Sequence, residues 1–414
     1  MKKIKSDIIW NYFSFGFLAL CGLLLNLIIG TFYDETILGL FNQVTAIYII
    51  FSMLGSAGIN FSVLRSIASD KKEVSENIIG ALIPTIFMSI LTIGILSILA
   101  KPFSTILESP SIKDGIYLLI PGVFFLSINK IFLGIINGLR EMKNYAIFNI
   151  LRYCFITLSL FILVLSRKNG EYLPSIFSIS EFILSILLVI KILPLIQSFE
   201  VTKIISWMKI HIFYGLKSFT SGIMIELNTK VDILLIGYFL SDKNVGIYSF
   251  AAFFAEGFYQ LVATLQNIYN PIIANDVSNL RIQMLEEKIE NNKLKIYLVF
   301  SILGICSMYL FSILIDNLKI LDKFQDSVHV FRILILGIVL SSGYIPFFNL
   351  LSMSNKPAWH NLFMLCFVSS NILLNYLLIP IYGINGAAIA TTISIVLATL
   401  LIKLLSKRVI KIKI

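Results

Sequence analysis

The segment LIIGTFYDETILGLF, residues 27–41, returns 207 residues later as LLIGYFLSDKNVGIY, with Gly30 and Gly39 matched by Gly237 and Gly246. A second echo places Asn137, Leu139, Ala146 and Asn149 against Asn349, Leu351, Ala358 and Asn361, at an offset of 212. Nearly equal offsets at matching places in two successive hairpins imply a duplicated chain, and a duplicated chain folds as two related lobes. The expected division is an N-terminal lobe over residues 1–198, a connector over 199–212 and a C-terminal lobe over 213–414.

Only 14% of the residues are charged and 57% are hydrophobic. A soluble domain carries roughly 25% charge, so the chain is expected to be an all-α integral membrane protein. At about 20 apolar residues per span, twelve helices are expected. They cover about 8–30, 38–62, 78–100, 115–138, 145–166, 173–197, 214–239, 245–271, 294–315, 329–352, 359–379 and 384–405. The opening MKKIKSDIIW and the apolar run to Gly30 read as a retained first helix, because the run is longer than a signal peptide's. Doubled apolar chains of this size are typical of secondary transporters, whose halves rock to open a site to either side.

With the N-terminus inside, 20 Lys and Arg fall in cytoplasmic segments and seven in outer loops. That bias puts both termini in the cytoplasm and lays the tail KLLSKRVIKIKI against membrane lipids. The formal charge of +10 follows from topology and marks no nucleic-acid surface.

Ten charges remain inside the spans: Lys130, Arg152, Lys191, Lys217, Lys230, Arg332, Glu181, Glu226, Asp232 and Glu256. At roughly 2.5–3.5 kcal/mol each in mid-membrane, they must snorkel, pair or face water. Lys191 and Lys217 lie near helix ends and can snorkel. Lys130 lies at mid-span, on one side of its helix with Ser127, Gly134 and Asn137. Glu226 and Lys230, four apart, can neutralise each other, while Lys217, Ser221, Asn228 and Asp232 fall along a different face of span seven. Polar stripes recur in span two (Thr45, Ser52, Ser56, Asn60) and span eight (Glu256, Gln260, Thr264, Asn267). Two equivalent stripes are expected to line a hydrated cavity, although such stripes also serve helix packing. Six cations against four anions suit an anionic cargo held by Lys130, Arg152, Lys217, Lys230 and Arg332. Asp232 and Glu256, with Glu226 third, become candidates for coupling or gating, and the polar lining is drawn from Asn60, Asn137, Asn228, Gln260 and Asn267.

No catalytic constellation is visible. His211, His329 and His360 are expected at or beyond helix ends, the four Cys sit apart in apolar segments, and no phosphate-binding Gly-Lys-Ser/Thr loop occurs. The chain is therefore read as no enzyme, with no cofactor and no metal; H⁺ or Na⁺ coupling stays open.

The stretch VDILLIGYFLSDKNVGIYSFAAFFAEGFYQ, with Asp232, Gly237, Gly246 and Tyr248, resembles spans seven and eight of Wzx-type O-antigen and polysaccharide repeat-unit flippases. GLFNQVTAIYIIFSMLGSAGINFSVLRS, NGLREMKNYAIFNILR and IPIYGINGAAIAT extend the resemblance over essentially the whole chain. It implies the fold of the multidrug/oligosaccharidyl-lipid/polysaccharide exporter superfamily, two six-helix lobes around a central cavity, working by alternating access without ATP hydrolysis. It implies an undecaprenyl-pyrophosphate-linked oligosaccharide as cargo, moved from the inner to the outer leaflet of a bacterial cytoplasmic membrane. Polysaccharide polymerase and chain-length proteins are the further partners expected. An ion-coupled multidrug exporter of the same superfamily is the alternative, disfavoured by the lack of mid-membrane Asp or Glu in spans one to five.

Overall fold

A computed structural model describes residues 2–69, 73–197, 199–279 and 281–412; the side chains of 2–9, 12, 221 and 319–321 lie outside the described set, so Ser221 is not placed. The described residues form helices and short turns, and they divide into two compact units, Met1–Glu226 and Leu227–Ile414.

The first unit holds α1 (Lys2–Phe32), α2 (Glu35–Ser56), α3 (Ile59–Ser69), α4 (Val74–Ile106), α5 (Pro110–Gly138), α6 (Met142–Leu165), α7 (Ser175–Ile192) and the start of α8 (Val201–Phe239). Here α5 packs against α2, α3, α4 and α7. Their apolar contact includes Ile59, Val63, Ile78, Ile131, Ile135 and Leu184, all within 1% of complete burial. The second unit holds the rest of α8, then α9 (Asp242–Ala263), α10 (Gln266–Ser278), α11 (Ile282–Asn317), α12 (Ser327–Ser341), α13 (Leu350–Met353) and α14 (Pro357–Leu405). Its centre is α12, packed on α9, α11 and α14, with Phe311 stacked on Phe331 at 4.2 Å and Phe250 on Phe324 at 4.4 Å.

Nine of the described helices are long and apolar enough to cross a membrane. The bent pair Ser327–Ser341 and Ile345–Met353, angled at 60°, makes a tenth. Gly383, at φ 60° and ψ −140°, turns α14 into two helices and so adds another; that conformation is essentially open to glycine alone. The twelfth expected span is the charged α8. The twelve-span, all-α reading is thus the observed architecture, with spans two, eight and ten broken.

The duplication is visible in the helix ends. α2 and α9 start and finish 207 residues apart, as do the starts of α3 and α10. Both α2 and α9 open on a side-chain cap, Asp34 accepting from the Ile37 amide and Ser241 from the Asn244 amide, which satisfies an otherwise orphaned donor. Asn60 and Asn267 are therefore equivalent, each second in the helix after the break. The second echo is out of register: the turn closing α5 has its positive-φ residue at Arg140, and its twin is Asn355, 215 residues on rather than 212. Three residues is about one helical turn, so the 212 match paired side chains on one face, a turn apart.

The expected connector is largely helix, forming the first turns of α8, which dock on the first unit. Trp207 Nε1 donates to Glu73 Oε2 at 2.9 Å and its ring stacks on His211. Lys203 bridges Glu73 and Glu200, and Arg65 lies over the Tyr214 ring. His211, expected at a helix end, is instead fully buried within α8. Its Nε2 meets the Asn77 carbonyl at 3.2 Å and its Nδ1 the Ser62 hydroxyl at 2.9 Å. A carbonyl only accepts, so Nε2 carries a proton, and in the neutral ring Nδ1 accepts from the Ser62 hydroxyl. Burial holds its pKa down to about 4.

The unfolded value is about 6.5, so this contribution to stability is full above that pH and is lost as pH falls towards 4. Acidification is expected to loosen the start of α8 and shift Trp207 emission to the red, read with Trp10 and Trp359 replaced by Phe. His211→Gln should suppress the shift. A shift that persists in this variant would show that His211 is not its source.

Candidate functional site

In the first unit, a charged cluster joins α5, α6 and α7. Arg152 Nε lies 2.7 Å from Glu181 Oε1, and Nη2 donates to Oε2 at 3.3 Å. Glu181 is 1% exposed. Asn129 Nδ2 also donates to Glu181 Oε2, at 2.7 Å, and Ser185 donates to Asn129 Oδ1 at 2.7 Å. This is the paired route for an intramembrane charge: a carboxylate without water needs both a counter-charge and its remaining lone pairs filled. Arg152 thus has a partner, α7's Glu181, that its place in the sequence did not reveal.

Lys130, half-buried on α5, donates to Ser52 Oγ at 2.9 Å. The residues that share its stripe pack on α2 and α3. Ser127 donates to the Ser52 carbonyl, and a side chain at Gly134 would meet the Asn60 carbonyl. Small residues there let two backbones approach closely, so much of that stripe is a helix contact. Asn60 is half-buried and its Oδ1 has no partner among the described residues; Asn137 is half-buried too. Lys191 pairs with Glu141 at 3.0 Å, near the end of α7. Lys217 is exposed and sits over the Phe213 ring of its own helix, 4.0 Å from the centroid. Glu226, also on α8, is half-buried.

In the second unit, Asp232 of α8 is 6% exposed and takes four hydrogen bonds. Tyr248 Oη and Thr391 Oγ1 donate to Oδ2 at 2.7 and 2.6 Å; Asn375 and Asn371 Nδ2 donate to Oδ1 at 2.8 and 3.2 Å. Tyr248 comes from α9, the other three from the two arms of α14. A carboxylate has about four acceptor positions, so the shell is full and all of its donors are uncharged. Asn228 joins through Asn371, which donates to its carbonyl and side-chain oxygens at 3.3 and 3.4 Å. Asn375 Oδ1 remains a buried acceptor with no partner among the described residues. The arrangement holds one buried negative charge with the open Asn375 Oδ1 close by, which suits a proton or a small cation that takes the place of one of these donors.

Glu256, Gln260 and Asn267 do not join this cluster: Glu256 and Asn267 are exposed and Gln260 is half-buried. Lys230 is half-buried on α8. Arg332 of α12 is exposed and donates to Ser312 of α11 at 3.0 Å. Sequence reasoning named Asp232 and missed Asn371, Asn375 and Thr391. Two amides four residues apart in an otherwise apolar span were the available signal.

None of the curated proteins compared matches this sequence. Solved structures do. A lipid II flippase, MurJ, in an inward closed conformation has a TM-score of 0.74 at 18% identity, covering 97% of this chain and 87% of its own. An inward-facing multidrug resistance MATE family transporter of the MOP superfamily has 0.71 at 12%, covering 95% and 98%. A MOP superfamily transporter from Pyrococcus furiosus has 0.61 at 13%, covering 99% and 95%. At these identities the likeness establishes the fold, that of MATE and MurJ-type transporters, in a multi-pass membrane protein. The profile of one family, described as polysaccharide biosynthesis protein, matches residues 4–275. Nearly two thirds of the sequence and the whole fold thus agree with the resemblance read from the sequence, and this chain belongs to the polysaccharide biosynthesis protein family.

Proposed function

We propose that the protein is a flippase for undecaprenyl-pyrophosphate-linked oligosaccharide repeat units of an O-antigen, capsule or related polysaccharide, carried by alternating access from the inner to the outer leaflet of a bacterial cytoplasmic membrane. The observation that carries this reading is Lys130: an ammonium at mid-span, half-buried, with a neutral hydroxyl as its hydrogen-bond acceptor. Such a group is costly in a membrane and is repaid when it meets a phosphate. Family membership supports the pathway, and the likeness to a lipid II flippase supports lipid-linked cargo. Lys217 and Lys230 are assigned as further contacts to the anionic head or glycan, with Arg152 oriented by Glu181. Asp232 is assigned to H⁺ or Na⁺ coupling. A polysaccharide polymerase and chain-length proteins would take the delivered units.

A second reading, an ion-coupled multidrug exporter, draws on the MATE likeness and on the same buried Asp232. Deleting the gene separates the two. Lost surface glycan with lipid-linked units accumulating supports the flippase; intact glycan with new sensitivity to cationic drugs supports the exporter. In the complemented strain, Lys130→Ala is expected to abolish surface glycan while the protein remains inserted at normal level. Undiminished glycan would remove Lys130 from the cargo path.

A further inference from the structure

The face of α11 made by Ile305, Met308, Tyr309, Ser312, Ile313 and Asp316 advances by threes and fours, and so forms one continuous stripe. With Arg332 of α12 it lines an open groove of about 450 Å³. Ile305 and Tyr309 are 68% and 69% exposed, and Leu298, Ile302 and Leu310 on the same helix are more than half exposed. An apolar surface of that kind on a membrane-spanning helix meets lipid.

Two features say which lipid. The stripe climbs eleven residues from Ile305 to Asp316, roughly 16 Å along the helix, and one leaflet of the hydrocarbon core is about 15 Å thick. The groove therefore runs from head-group level to mid-membrane, the reach of one acyl chain. At its polar end stand one cation and one anion, both exposed. Arg332 donates to Ser312 and Asp316 accepts from Gln325 at 3.3 Å, and neither is engaged in an ion pair among the described residues. A guanidinium beside a carboxylate is a poor seat for a head group that carries only negative charge. It complements a head group that carries both signs.

We propose that this groove binds a zwitterionic phospholipid of the bilayer, its phosphate on Arg332 and Ser312, its ammonium on Asp316, and one acyl chain along Met308 and Ile305. On the orientation expected from the basic residues, the bound lipid belongs to the outer leaflet. Arg332 then serves the bilayer rather than the cargo, a role independent of the flippase reading.

Native mass spectrometry of the detergent-purified full chain, titrated with phosphatidylethanolamine or phosphatidylglycerol, tests this. Wild type should retain phosphatidylethanolamine preferentially. Arg332→Ala should lower that retention roughly tenfold, the worth of one charge-assisted hydrogen bond, and Arg332→Lys should restore most of it. Asp316→Asn should erase the preference for ethanolamine over glycerol while leaving binding itself. Three results would overturn the proposal: equal retention by wild type and all variants, preference for phosphatidylglycerol in wild type, or displacement of the phospholipid by a polyprenyl pyrophosphate, which would make the groove a cargo site. A thermal unfolding curve for each variant assigns any loss of binding to the groove only if the fold is retained. Should Arg332→Ala unfold, the Arg332→Lys and Asp316→Asn pair decides the question alone.

Discussion

Asp232→Ala is expected to abolish surface glycan and to cost stability on the order of 3 kcal/mol. The substitution removes the acceptor for Tyr248, Thr391, Asn371 and Asn375 at once. Tyr248, Asn371 and Asn375 are buried and Thr391 is half-buried, so little solvent replaces what is lost, and an unsatisfied buried donor costs about 1–3 kcal/mol. Rearrangement of the two amides onto each other, already linked by Asn375 Nδ2 to Asn371 Oδ1 at 2.9 Å, recovers part of it. Thermal unfolding in detergent gives the stability change and complementation of a deletion strain gives the transport change.

Asp232→Asn tells structure from coupling. The amide keeps the volume but carries no charge, and its NH₂ faces one pair of the same donors. If the charge binds an ion, wild type is stabilised by raising that ion's concentration, as any ligand specific to the folded state stabilises it, and the Asn variant is not. Protons and Na⁺ are separated by titrating each while the other is held constant. Should the variant transport normally and show the wild-type ion response, Asp232 is a structural anchor for α8, α9 and α14 and nothing more.

What was legible in the sequence follows from the range of the forces involved. A span is a local property, about 20 apolar residues that must satisfy their backbone internally, so the helices could be read off one after another. The 207-residue repeat was legible because caps and breaks are local too: Asp34 and Ser241 each act within three residues of themselves. The break after Ser56 follows from Ala57 and Gly58, both at positive φ, and the segment SAGIN carried that signal. Partnerships across helices were not legible. Glu181 and Arg152 were each conspicuous as intramembrane charges, yet nothing along the chain says that helices 29 residues apart bring them together. Asp232 met the same difficulty, since its partners on α14 lie 139 to 159 residues away. The α5 stripe was ambiguous for another reason: serine and glycine mark both a wet wall and a close helix contact, and only packing tells which.

Arg152→Ala is expected to be the most destabilising single change in the first unit, by about 3–5 kcal/mol, because it strands the buried Glu181 charge. Asn129 still donates to that carboxylate, which softens the loss without supplying the missing charge. The double variant Arg152→Met/Glu181→Gln removes both charges at similar volume and is expected to regain most of the stability, since apolar replacement of a buried pair is often neutral or better. A double-mutant cycle gives the coupling energy directly. Stability and export then decide what the arginine is for. If Arg152 only holds α6 to α7, the double variant exports glycan as well as it folds. If the guanidinium also meets the cargo's phosphates, with Glu181 aiming it, the double variant folds and exports nothing, and Arg152→Lys, which keeps the charge but loses the fork, falls between. Export at wild-type level from the double variant would leave Lys130 as the principal cation for the cargo in this unit.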